Sequence, residues 1–389
     1  MKINGGELVE HFSRLRSLTA PSIDSKRVVL FSKGASLVSV VSSASARAIT
    51  VMQMPVEEGK DPDTFGPIAI DFQRFLNVLM TCREGNVEMR IGKNIQIRGP
   101  GGRFSLSANE LDMEQMKPML VDAAKDTYED ILVMSPNTLS VFTEIISSLS
   151  IGDVKGATFK VIIHTEPGQA NIAIGCNSVI ATLDIKNKGI TSTMDVETNS
   201  KSLMQAVRAI GQSTKKAPLK ISIGDKIVRL ENDSCKIIMS YSKTEGGTGI
   251  AQIRKLHGLM KTVASTMEVP VKKLRDALST ATMMAGPGLQ LPMAFKSSGV
   301  HLGVQTSSGS FSTTVNGSSY KLTGKETDVK CVAGMFSRML KCVGDAAEED
   351  KVGIRVYQVN QKNFYVNMAG GVKGEDSRIS YAFKMVKNK

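Results

Sequence analysis

The sequence predicts an α+β chain of three repeated domains, each itself a duplicated helix-plus-antiparallel-strands unit. Three observations predict it. A strand, a cap and an amphipathic helix at Ile68–Leu79 return at Met194–Ile210 and, without a good cap at Ala333-Gly334, at Val329–Val343, with Phe75, Leu203 and Phe336 as anchors at nearly equal steps. A hairpin then follows each copy. Its turns are Gly92-Lys93-Asn94 and Gly224-Asp225-Lys226, whose glycines are separated by nearly the same step, and a longer turn over 358–363. Finally, helical spacing opens every third of the chain. A fixed internal period marks a repeat architecture.

The first domain is placed at 1–122. Leu8, Val9, Phe12, Leu15 and Leu18 fall on one helical face,. Val28–Phe31 and Ser36–Val41 read as strands. Ile68 and Ile70 alternate with Ala69, and Asp71 is a good N-cap for the helix that follows,. Phe75, Leu76, Val78 and Leu79 are that helix's apolar face. Val87–Ile91 and Ile95–Ile97 are the arms of the hairpin,.

The second domain, 123–250, repeats this with a helix on Leu139, Phe142, Ile145, Ile146 and Leu149. Strands Thr158–Ile163 and Ala170–Ile174 follow, and later Leu219–Ile223 and Ile227–Leu230. The third, 251–389, has a shorter apolar stripe at Val271, Leu274 and Leu278, then strands Met293–Phe295, Gly299–Gln305, Val352–Tyr357 and Phe364–Val366. Met116–Asp130 and Gly246–Pro270 lack the pattern and read as linkers, the second with a helical piece at Leu259–Met267.

A hydrophobic share of 41% is ample for packed cores, and 21 methionines take over packing from the absent tryptophan,. No apolar run reaches the roughly 18 residues of a membrane helix. The start, Met1-Lys2-Ile3-Asn4-Gly5-Gly6, lacks the apolar core of a signal peptide,. Five scattered cysteines without C-x-x-C spacing argue against a disulfide framework or zinc site and fit a reducing, cytoplasmic compartment,.

Catalytic chemistry is hard to place. His11, His164, His257 and His301 sit in unrelated contexts without metal-ligand spacing,. Gly324-Lys325 is no phosphate-cradling loop, because position 319 is Ser and position 326 is Glu,. These patterns favour a binding or structural protein without metal or cofactor over an enzyme. Charge points the same way. Residues 1–122 and 123–250 each carry a net charge of +1, whereas 251–389 carry +10, with 20 Lys and Arg against 10 Asp and Glu. A basic surface favours polyanions such as nucleic acid.

On this architecture, and on the segments LVEHFSRLRSLTA, GPIAIDFQRFLNVLM and RISYAFKMV, the chain resembles a DNA polymerase sliding clamp of the bacterial beta type. The resemblance implies two chains closed head to tail into a homodimeric ring, with helices lining the hole and sheets outside. Duplex DNA, a DNA polymerase and a clamp loader are the implied partners, bound without sequence preference and without a membrane. The helix cations Arg14, Arg16, Arg74, Lys201, Arg208, Lys272, Lys273, Arg275, Arg338 and Lys341 would then face phosphates,.

The resemblance also implies an apolar pocket for partner peptides at Val179, Ile180, Ile253, Leu256, Met385 and Val386; Tyr381 and Phe383 beside it read as core. The basic third domain also suits an alternative: an open clamp-fold processivity factor that holds DNA electrostatically without a closed ring. The departures from cellular clamp sequences suit a phage or viral origin.

Overall fold

Each repeat begins with a strand, not with its helix. The computed structural model describes residues 1–19, 27–32, 36–43, 48–55, 67–110, 130–150, 160–176, 179–199, 203, 206–207, 210, 218–224, 227–232, 235–240, 242–243, 255, 258–286, 290–307, 309–316, 320–347 and 350–387. The first stretch runs β1 (Lys2–Asn4), α1 (Gly5–Thr19), β2 (Arg27–Ser32), β3 (Ser36–Ser43), β4 (Ala48–Pro55), β5 (Ile68–Asp71), α2 (Phe72–Thr81), β6 (Asn86–Ile91), β7 (Asn94–Gly99), β8 (Gly102–Ser107) and β9 (Asn109–Glu110).

Next come β10 (Asp130–Met134), α3 (Pro136–Ser150), β11 (Lys160–Glu166), β12 (Gln169–Cys176), β13 (Val179–Lys186), β14 (Met194–Asn199), β15 (Leu219–Ile223), β16 (Ile227–Glu231), β17 (Cys235–Ser240) and β18 (Ser242–Lys243). Between β14 and β15, Leu203, Ala206, Val207 and Ile210 are helical and buried. The last stretch is β19 (Val263–Pro270), α4 (Val271–Ala285), β20 (Gln290–Lys296), β21 (Gly299–Thr306), β22 (Gly309–Val315), β23 (Lys321–Gly324), β24 (Thr327–Val332), α5 (Ala333–Ala347), β25 (Lys351–Gln358), β26 (Asn363–Gly371) and β27 (Ser377–Lys387).

Two sequence expectations are corrected here. The helix predicted over Leu259–Met267 is strand β19 from Val263 onward. Its apolar spacing fits a helix, but Ser265, Met267 and Val269 are buried at period two and the strand pairs with β25 and β23,. Likewise, β19 occupies the end of the second predicted linker, and β10 starts at the last residue of the first. With β1 they form a set: β1 pairs β6, β10 pairs β15 and β19 pairs β25, all antiparallel. Each repeat is thereby closed by its own first strand. The rest of the first linker, 111–129, lies outside the described residues.

The chain groups into two compact units. One holds residues 1–136 with 201–242. In it, β1-β6-β7-β8 form a four-stranded sheet, and a nine-stranded sheet runs β10-β15-β16-β17-β4-β3-β2-β5-β9. The second holds 137–200 with 243–389. In its large antiparallel sheet β14, β11, β12, β13, β27, β24, β20, β21 and β22 lie side by side in that order, and β26, β25, β19 and β23 branch from β27.

In the first unit, α1 and α2 pack against each other. Phe12 meets Phe75 edge to face at 4.8 Å and Phe72 at 6.3 Å between ring centroids,. The predicted cap is in place: the Arg74 backbone N–H donates to Asp71 Oδ1 at 2.8 Å. Phe72, Phe75, Leu76 and Leu79 are buried, while Gln73, Arg74 and Asn77 stay exposed. Beneath α1 lies a buried polar pair, His11 Nε2 and Ser39 Oγ, 2.6 Å apart. In the second unit, α4 and α5 approach so closely that a Cβ on Gly344 would stand 2.5 Å from Val271 Cγ1.

Candidate functional site

The predicted helix cations do not behave as one set. Arg16, Arg74, Lys272, Lys273 and Lys341 are exposed. Arg14 is half-buried and ion-paired to Glu10 one turn earlier. Arg275 stands 3.6 Å from Asp345 on α5. Lys273 Nζ donates to the Asn316 carbonyl at 3.3 Å. Lys201 and Arg208 lie outside the described residues.

Arg338 has a structural task. Its Nε donates at 3.2 Å to the carbonyl of Ser148, in the last turn of α3, where helix carbonyls lack partners of their own,. Among the described residues, the densest basic group on a helix is therefore on α4, where Lys272, Lys273 and Arg275 outnumber Asp276.

The predicted pocket residues are divided by the pleat. β13 and β27 pair antiparallel, with Val179 opposite Phe383 and Ile180 opposite Ala382. Directly opposed residues share a face. Val179 and Met385 thus lie with Tyr381 and Phe383 on the helix side, all fully buried or nearly so. Phe383 meets Phe336 of α5 at 5.3 Å, and the Tyr381 hydroxyl sits 2.9 Å from Ser148 Oγ. Burial raises the Tyr381 pKa well above the usual phenol range and pushes the Cys342 thiol up to about 12, so both stay protonated,.

Ile180 faces the other way. It clusters with Ala173, Tyr365 and Ala382, and partly buried Met260, Tyr357 and Val359 pack on that cluster. The side chain of Val386, and Ile253 and Leu256 altogether, lie outside the described residues.

A regularity links the seams between repeats. At each seam the last strand of one repeat's second half pairs with the last strand of the preceding repeat's first half. β17 pairs β4, and β27 pairs β13. Among the described residues, one strand of each kind is left over, β8 and β22, and each ends its sheet.

The chain matches solved structures along its whole length. A DNA polymerase III beta subunit from Borrelia burgdorferi superposes with a TM-score of 0.77 at 11% identity, covering 100% of this chain and 98% of that one. The Bacillus subtilis sliding clamp gives 0.75 at 12%, with 98% of each chain covered. The DNA polymerase III beta chain of Streptococcus pneumoniae gives 0.76 at 11%, covering 100% and 99%. The chain has the fold of bacterial sliding clamps. In sequence alone, neither a family model nor a curated protein matches it.

Within this clamp fold, the two open edges resemble each other. β8 reads Gly102-Arg103-Phe104-Ser105-Leu106-Ser107 and β22 reads Gly309-Ser310-Phe311-Ser312-Thr313-Thr314 before Val315. Both begin with a positive-φ glycine, at 124° and 150°, a conformation that favours residues without a Cβ,. Phe104 and Phe311 are half-buried at matching positions. Exposed methionines end the two neighbouring helices. Met80, 55% exposed, precedes Thr81, against whose carbonyl the β7–β8 turn packs; Met283, 76% exposed, precedes Met284, whose Cε would lie 3.6 Å from a Cβ on Gly309.

Sequence reasoning passed over these edges and, although it singled out Ile180, over the residues that cluster with it. The shared G-x-F-S would have flagged the edges. The cluster had no local signal, because Ala173 and Ile180 meet Tyr365 and Ala382 from strands far away in the chain.

Proposed function

We propose that this clamp-fold chain is a DNA sliding clamp, a homodimer of three domains per chain (1–122, 123–250 and 251–389) that encircles duplex DNA and tethers a polymerase. One observation carries the reading: the seam rule leaves β8 and β22 unmatched. Applied between copies, the same rule pairs β8 of one chain with β22 of the next, and two chains close head to tail. Their exposed backbone groups, flanked by Phe104, Leu106, Phe311 and exposed methionines, are poor surfaces to leave in water,.

In that ring the helices turn inward. Arg16, Arg74, Lys272, Lys273 and Lys341 meet phosphates through weak, salt-dependent contacts that allow sliding. No bond is made or broken. Processivity comes from topological linkage, and the tethered polymerase docks by an apolar peptide segment on the Ile180–Tyr365–Ala382 face.

The test is retention on a nicked circle against the same DNA made linear. A loaded ring stays on the circle through a wash at about 0.5 M salt, where the Debye length is only a few Å, and leaves once the circle is cut. Equal loss from both would replace the ring with the open electrostatic form. Met260→Glu with Tyr357→Ala should abolish polymerase stimulation while leaving retention unchanged; undiminished stimulation would remove this face from partner binding.

A further inference from the structure

The four-stranded sheet of the first unit carries a feature that the clamp reading does not use. A shallow cavity of about 350 Å³ is lined by Glu88, Arg90, Gln96, Arg98, Arg103 and Ser105, with Ile97 and Phe104 behind them. Strand register explains how these side chains meet. Glu88, Arg98 and Arg103 form one cross-strand row, and Arg90, Gln96 and Ser105 form the next. Both rows lie on the polar face of the sheet. The opposite face holds Val87, Met89, Ile95 and Ile97, all fully buried or nearly so.

The row has an unfavourable element. Arg98 and Arg103 are directly opposed on neighbouring strands, and like charges so placed repel each other,. The one carboxylate among the described residues of the wall, Glu88, is already 3.2 Å from Arg90. Ring closure would not supply another. Residues 277–325, which contain the whole of β22, include no Asp or Glu. A local conflict that the described residues do not compensate is what a site built for a ligand would show.

We propose that Arg98 and Arg103, with Arg90 and Gln96 beside them, form a docking site for an acidic peptide segment of a partner protein. Guanidinium forks take carboxylates in bidentate pairs. Along an extended peptide, alternate side chains share a face at a spacing of about 7 Å, which matches the two rows of this pleated surface. Glu88 and the small volume tell against a polynucleotide, which would bring a run of phosphates onto a wall that contains a carboxylate. The site lies on the sheet face, outside the hole in the ring reading on which this inference rests, so it can be filled while DNA is threaded.

The test uses the full-length protein and a fluorescein-labelled decapeptide of alternating Glu and Ser. Anisotropy should show binding that is at least tenfold weaker for Arg98→Gln and for the Arg98→Gln/Arg103→Gln pair. Binding should vanish for the Gln–Ser peptide and recover in part with Arg98→Lys, which keeps the charge but not the fork. Wild-type affinity in Arg98→Gln would overturn the proposal. So would a ten-nucleotide oligo-dT that binds more tightly and displaces the peptide. Retention on nicked circles, measured in the same variants, separates the two readings. Intact retention with unchanged peptide binding sinks only the docking site, whereas wild-type protein that never stays on circles while binding the peptide sinks only the ring.

Discussion

The seam between β13 and β27 and the open edges at β8 and β22 are the same kind of structural place, treated in two ways. At the seam, strand pairing is backed by Tyr381, Phe383 and Met385, all fully buried, and by the Ser148–Tyr381 and Arg338–Ser148 hydrogen bonds. At the edges there are Ser and Thr side chains, one half-buried Phe apiece and exposed polar contacts such as Thr314 with His301. A seam made within one chain is reinforced like a core. In the proposed ring, an edge that meets a second chain would keep only enough apolar surface to close, which would suit an interface that must also open.

The sharpest way to break this contrast is Phe383→Ala. It should destabilise the fold by about 3–5 kcal/mol, the usual range for a large core aromatic, seen as a lower urea midpoint. Loss of less than about 1 kcal/mol would show that the seam is not a core. Next, Phe104→Asp or Phe311→Asp should weaken dimerisation roughly a hundredfold, about 3 kcal/mol, while the urea midpoint moves little. Solution mass checks it, with the monomer at 41.9 kDa.

Acid should weaken the first unit. His11 lies under β3 and β4, where Ser39 also reaches the Met52 carbonyl. Burial, and Arg14 after it, lowers its pKa from 6.5 to about 4. The unfolded chain therefore takes up a proton first as pH falls. The stabilisation is complete above about pH 6.5 and is lost progressively down to pH 4, in total roughly 3 kcal/mol. Urea midpoints from pH 7.5 to 4 should show this slope in the wild type and a flatter one in His11→Asn. Smallest of all, Asp71→Ala removes the N-cap of α2 and should cost about 1 kcal/mol in stability with dimerisation unchanged.

Asp71 also shows what the sequence makes legible. A cap residue, an apolar stripe and a two-residue turn are local signals, so α2 and the β6–β7 hairpin can be read within a residue or two. The closing strands β1 and β10 are three and five residues long, pair with the distant strands β6 and β15, and carry no such signal. The same limit divided the predicted pocket. Alternation along β27 separates Met385 from Ala382, but only the register with β13 tells that Ile180 joins Ala382 and Val179 joins Phe383. Arg338 reads as one more helix cation until Ser148, 190 residues earlier, is found at its Nε.

Those distances set a timetable for synthesis. β1 must wait for β6, because Ile3 pairs with Val87, and at 5–20 residues per second that is roughly 4–17 s on the ribosome,. β4 waits longer for β17, since Thr50 pairs with Ile237, and β13 longer still for β27, since Ala181 pairs with Tyr381, roughly 10–40 s each,. Through that interval every nascent copy displays unfinished edges that obey one pairing rule. A finished neighbour offering β8 or β22 is a competitor for them. Crowded translation of this chain should therefore favour tangled oligomers, and slowing its initiation should reduce them.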